Sequence, residues 1–117
     1  KINFVYFGSV IQYMNDYNEV INLISKKKPK FIFFSGTSLY KNLKKNSFVV
    51  KQVNVWPQIN YCFFFQYKYF FKLLEQRNYK LVFKKNNLND RVINYSNISK
   101  SLNIKINYTD LLFKFNG

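Results

Sequence analysis

A chain of 117 residues holds one small domain or part of one, and it falls short of a complete doubly wound sheet that grips a nucleotide-like cofactor. With 48% hydrophobic and 21% aromatic residues it has ample material for a core, which excludes an intrinsically disordered chain. The formal net charge of +14 raises nucleic acid or an anionic surface as a partner. Lys, Asn, Phe, Tyr and Ile are also the residues whose codons are richest in A and T, so biased coding alone would make nearly any fold basic and aromatic.

The chain opens on Lys1, runs at once into the apolar stretch Ile2 to Phe7, and reads as though cut just before a buried strand. Phe4 to Ile11 is apolar on both faces of a strand, which predicts a central parallel strand over 4–7 with helices on each side. Asp16 and Glu19 have the spacing of a capping box, and Tyr17, Val20, Ile21 and Ile24 follow at helical spacing. A helix of about ten residues is predicted there. Lys26, Lys27 and Lys28 suit the negative end of its dipole, and Pro29 stops it. Phe31 to Phe34 predicts a second strand that ends in a turn at Ser35, Gly36 and Thr37. Strand, helix and strand joined this tightly imply parallel pairing through a right-handed crossover.

From Ser38 to Asn60 a Lys- and Asn-rich stretch, broken by Val53, Val55, Trp56 and Pro57, reads as a long loop of the kind that carries function. After Tyr61 a second helix is predicted, with Tyr67, Phe70, Phe71 and Leu74 on one stripe and Asn78 closing it in the left-handed conformation. Tyr79 to Phe83 reads as a strand, 84–89 as a polar turn, and Leu111 to Phe115 as a closing strand antiparallel to its predecessor. Residues 90–107 receive no assignment. Cys62 stands alone beside Phe63, Phe64 and Phe65, so it reads as a packed thiol and not as part of a disulfide or metal cluster. Neither an uninterrupted apolar window of about 18 residues nor a signal-peptide pattern is visible, which makes the cytoplasm the expected compartment.

The expected fold is therefore α/β: a partial doubly wound, Rossmann-like sheet in the order strand, helix, strand, loop, helix, strand, strand, forming one partial domain over 1–117. This order resembles the latter part of a class I S-adenosylmethionine-dependent methyltransferase, from its fourth strand through its antiparallel final pair. The words FVYFGSVIQYM, KFIFFSGTSLY, KQVNVWPQINYCFFF, the helix ending in RNYKLVFK, and DLLFKF are similar to a family of bacterial methyltransferases associated with surface-polysaccharide and sugar-nucleotide gene clusters. The resemblance covers nearly the whole chain. It implies S-adenosylmethionine as cofactor, a sugar or other small acceptor, and an activity that belongs to a longer protein. The sequence departs from the family at Asn78, where glycine is expected. It also lacks the glycine-rich turn and downstream acidic residue that hold such a cofactor, since Gly8, Gly36 and Gly117 form no such motif.

Ligands of open α/β sheets sit beyond the carboxyl ends of the strands. In the first such loop the resemblance assigns Ser9, Gln12 and Tyr13 to flank the cofactor; the alternative is that they satisfy backbone groups and pack against the helix. Beyond the second strand Thr37, Gln52 and Tyr61 are candidates for the acceptor, with Trp56 read as a packing residue. Methyl transfer to an activated sulfonium needs mainly positioning and exclusion of water. No catalytic residue is singled out: the chain has no His and five acids, Asp16, Glu19, Glu75, Asp90 and Asp110, which leaves paired-carboxylate, zinc and triad chemistry unsupported. Two competing readings remain, a small basic nucleic-acid-binding protein of ribosomal type and a noncatalytic module that self-associates through its exposed first strand.

Overall fold

The computed structural model describes residues 2–55, 57–86 and 100–117. The chain forms a mixed six-stranded sheet with helices, in the order β1 (Phe4–Gly8), a single 3-10 turn (Ile11–Tyr13), α1 (Tyr17–Lys26), β2 (Phe31–Tyr40), β3 (Ser47–Val55), β4 (Gln58–Gln66), α2 (Tyr67–Glu75), β5 (Tyr79–Asn86) and β6 (Ile106–Phe115). Strand β2 is central. On one edge it pairs with β6 along most of its length, antiparallel; on the other its first half pairs parallel with β1 and its last two residues with the end of β4. β5 closes the sheet antiparallel to β6, and β3 forms a hairpin with β4. Among the described residues no helix is long and apolar enough to cross a membrane.

The expected β-α-β unit and the antiparallel final strand are both present. The expected long loop over 38–60 is replaced by the end of β2, all of β3 and the start of β4. Two local features hid this. Gly36, with φ of +59°, makes a bulge that lets β2 continue past the point where a turn was expected. Phe48, Val50, Cys62 and Phe64 alternate along the hairpin and share one face, a period-two signal diluted by the intervening Lys and Asn. The second helix accordingly starts at Tyr67, after the FFF run has been used in a strand. β5 likewise extends to Asn86, through the start of the expected polar turn. Trp56 and the greater part of the unassigned stretch lie outside the described residues.

The helices form for local reasons and are held by aromatic packing. In α1, Asp16 occupies the cap position but makes no side-chain cap bond, so the expected capping box does not close; Glu19 still complements the dipole in the first turn. α2 is capped by the Gln66 side chain, which accepts from the Tyr69 amide at 3.0 Å. Both helices lie on one face of the sheet, where Ile21, Phe70 and Leu74 meet Phe7, Ile32, Phe34, Leu111 and Phe113. Phe34 is fully buried and stacks on Phe7 at 4.9 Å, with edge contacts to Phe70 at 5.1 Å and Phe113 at 5.9 Å. Such pairs add about 0.5–1.5 kcal/mol each beyond the area they bury. The Tyr17 and Tyr69 hydroxyls meet at 2.8 Å and tie α1 to α2. Tyr79 donates to the Pro29 carbonyl at 2.7 Å, fixing the start of β5 against the end of the α1–β2 connection.

Asn78 ends α2 with φ of 65°, as its position after the helical stripe predicts. A β-carbon without an amide to compensate costs about 1–2 kcal/mol in that conformation. Asn78→Ala is therefore expected to lower stability by about 1 kcal/mol while Asn78→Gly leaves it level or raises it, as read by urea denaturation followed through the tyrosine fluorescence; equal losses in both variants would place the effect in the asparagine side chain instead.

Candidate functional site

β1 ends at Gly8, and the ladder to β2 continues one residue further, the Ser9 amide donating to the Ser35 carbonyl at 2.8 Å. Ser9 is left-handed, with φ of 52°, and this turns the chain into the 3-10 turn that holds Gln12 and Tyr13. Gln12 is completely buried, and its Nε2 donates to the Gly36 carbonyl at 2.8 Å. On the opposite edge of β2 the Gly36 amide donates to Asp110 Oδ1 at 2.8 Å. The Tyr108 hydroxyl donates to Ser9 Oγ at 2.5 Å, and this pair lies so close to Gly36 that a β-carbon there would sit 2.4 Å from both Ser9 Oγ and the Tyr108 ring. The bulge is thus pinned from three elements at once.

Beyond the bulge, Thr37 and Ser38 are fully buried. Thr37 Oγ1 and Gln12 Oε1 find no hydrogen-bond partner among the described residues. The Cys62 thiol, on the neighbouring β4, bonds with Ser38 and Tyr13. Burial pushes this thiol up from 9.0 to about 11, against the smaller lowering by those two bonds, so at neutral pH it is protonated and unreactive. Burial and the neighbouring Cys62 and Tyr108 likewise raise Tyr13.

The 3-10 turn packs against β4, and between them opens a groove of about 890 Å³ lined by Tyr13, Asn15, Val49, Ile59, Asn60, Tyr61 and Phe63. Tyr61 is 60% exposed on its wall. Two tyrosine rings, the apolar side chains of Val49, Ile59 and Phe63 and the Asn15 amide, without a charged group, make a lining suited to a neutral polar ligand with an apolar face.

Of the residues picked from the sequence, Ser9, Gln12 and Thr37 converge on the bulge, and Tyr13 and Tyr61 meet across the groove. Gln52 does not join them. It pairs with Asn60 on the hairpin face that carries Cys62 and Phe64, the face turned away from Tyr61 and its partner Lys51. Gly36, Ser38, Asn60, Tyr108 and Asp110 escaped the sequence reading, although a lone glycine inside an apolar run is itself a bulge signal.

The described residues do not by themselves fit S-adenosylmethionine. Ser9 and Gln12 Nε2 are occupied by Tyr108 and Gly36, and the one spare acceptor on this turn, Gln12 Oε1, lies fully buried, too little to hold an amino-acid tail and a ribose. No group of three or more potential metal ligands occurs among the described residues. The arrangement can orient and desolvate a bound molecule; it offers no nucleophile or general base.

Two outcomes are expected. Gly36→Ala combines a left-handed backbone with overlap against Ser9 and Tyr108, and should cost about 2–5 kcal/mol in denaturant unfolding; a loss under 1 kcal/mol would mean the bulge relaxes freely. Because the folded Cys62 holds its proton to higher pH than the unfolded thiol, its contribution is complete below about 9 and is lost as pH rises towards about 11. Unfolding at pH 8 and 10.5 should show this slope, reduced in Cys62→Ala. Comparison with known proteins finds no matching family model and no matching curated protein.

Proposed function

We propose that the chain is the acceptor-side half of a domain similar to class I S-adenosylmethionine-dependent methyltransferases, with a sugar or similar small molecule held in the groove between Tyr13 and Tyr61. The observation that carries this reading is the strand arrangement: a tight parallel β1-α1-β2 unit, followed at the end of the chain by β5 and β6, with β6 threaded antiparallel between β2 and β5. The groove lies beyond the carboxyl end of β1, where open α/β sheets place their ligands. Its chemistry is of the positioning kind, tyrosine faces for the apolar side of a sugar ring and the Asn15 amide for its hydroxyls. The residues that grip the cofactor belong, on this reading, to a further segment.

A second reading, a basic nucleic-acid-binding protein, draws on Lys41 and Lys84, whose ammonium groups both sit over the Tyr67 ring, at 5.1 and 4.9 Å. Two like charges at one ring favour an anion between them. Their affinity for RNA should fall steeply with salt, and sequence preference surviving at physiological ionic strength would put this reading first.

Calorimetric titration of S-adenosylmethionine into this chain and into the longest natural reading frame that contains it decides the main proposal. Binding to the longer protein alone is expected, with Tyr61→Ala there weakening the acceptor and leaving cofactor affinity unchanged; no binding to either protein overturns the methyltransferase reading.

A further inference from the structure

The apolar run of β1 predicted a strand covered on both faces, yet Phe7 is buried while Phe4 and Tyr6 are 53% and 58% exposed. The reason lies in where the helices sit. α1 and α2 pack on the face formed by Phe7, Ile32, Phe34, Leu111 and Phe113, and the alternate residues of the same strands point the other way. Register aligns them into two rows across four strands. One runs Tyr6, Phe33, Leu112, Phe83, and is apolar throughout; the next runs Phe4, Phe31, Lys114, Lys80. Tyr6 stacks on Phe33 at 5.6 Å, and Phe83 at the far end is 49% exposed. Towards the carboxyl end of β2 the same face is closed by Tyr40, Ile104 and Ile106. The opening is therefore a bounded patch about 14 Å across, from three inter-strand spacings.

Positive charge gathers at the end of the patch marked by Phe4 and Phe31. Lys80 and Lys114 stand directly opposite each other on neighbouring strands, an arrangement that costs stability when like charges are left unanswered. Lys30 lies beside them, its ammonium over the Phe31 ring at 5.5 Å. Of the described carboxylates, Asp16, Glu19 and Glu75 belong to the helices and their caps on the other face, while Asp110 shares this face one row beyond Leu112, opposite Lys85, with its Oδ1 accepting from the Gly36 amide. A second copy of the chain would bring the same lysines and another formal charge of +14 to the contact.

We infer that this face is the docking surface for an amphipathic helix that carries acidic side chains. Its apolar stripe covers the row from Tyr6 to Phe83, and its carboxylates neutralise Lys30, Lys80 and Lys114. A flat pleated face with half-buried Phe31 and Phe33 suits a helix laid across it, and completes the two-sided covering that the parallel β1–β2 pair calls for.

The test uses the full chain and a synthetic peptide of about 18 residues, long enough to be helical, with leucines at helical spacing and glutamates elsewhere. Fluorescence anisotropy should show binding that falls at least about tenfold in the double variant Lys80→Glu, Lys114→Glu and in Tyr6→Ser, Phe83→Ser. The control Lys26→Glu, Lys27→Glu, on the end of α1, should change it little. A peptide with lysines in place of the glutamates should bind the charge-reversed variant better than the unaltered chain. Equal losses in the control, or equal binding of a glutamate-rich peptide without the leucine stripe, would overturn the proposal as mere attraction to net charge. So would sedimentation showing self-association abolished by Tyr6→Ser, Phe83→Ser, or capture of the face by phosphatidylserine vesicles in preference to the peptide.

Discussion

The architecture depends on one left-handed glycine in the middle of the central strand. β2 has β1 beside its first half and β4 beside its last two residues, so it must exchange one neighbour for another along a single edge. The exchange happens at Gly36, where a positive φ inserts an extra residue against β6. An L side chain there would collide with Ser9 and Tyr108, and the surrounding bonds from Gln12 and Asp110 leave the backbone no alternative pairing. Where the neighbours change, the sheet edge forks, and the 3-10 turn fills the fork. The groove is the remaining space between that turn and the departing hairpin. Left-handed glycine, pairing exchange and cavity are thus a single feature seen at three scales.

The same constraint distributes the polar groups. A bulge breaks the ladder and orphans backbone donors and acceptors, and each orphan is expensive when buried. Gln12 answers the Gly36 carbonyl, Asp110 its amide, and Ser9 with Tyr108 close over the top. Two of these side chains come from the turn after β1 and two from β6, so the bulge also locks that turn to β6, residues nearly a hundred positions apart. A carboxylate spent on a backbone amide in this way is poorly placed to act as a base.

Much of the framework was legible because its signals are local. The helical spacing of Tyr17, Val20, Ile21 and Ile24, the stop at Pro29, and Asn78 as a left-handed end each depend on a few neighbouring residues. The hairpin was not legible, since Phe48, Val50, Cys62 and Phe64 become a face only when two segments are brought into register. The capping box failed for a different reason: Asp16 has the right identity and spacing but no side-chain bond to the helix. Ser9, Gln12, Tyr13 and Thr37 come together because they lie at strand ends or just beyond the bulge, whereas Asp110 and Tyr108 arrive from the last strand and carry no mark of it in sequence. Gln52 is separated from Tyr61 by a single step of strand parity, which sends its side chain to the opposite face of the hairpin.

Parity also accounts for the sheet's asymmetry. In β1 and the first half of β2 both residue sets are apolar, so these strand sequences specify two buried faces, while α1 and α2 supply a cover for one. Evolution of a free-standing one-sided sheet would favour polar residues at Tyr6, Phe33 and Phe83, because exposed apolar rows next to an open strand edge invite aggregation. The proposed acidic, amphipathic partner would cover these apolar residues and answer the three lysines beside them together. The high positive charge then has a second role besides any ligand: it keeps copies of the chain apart until a complementary surface arrives.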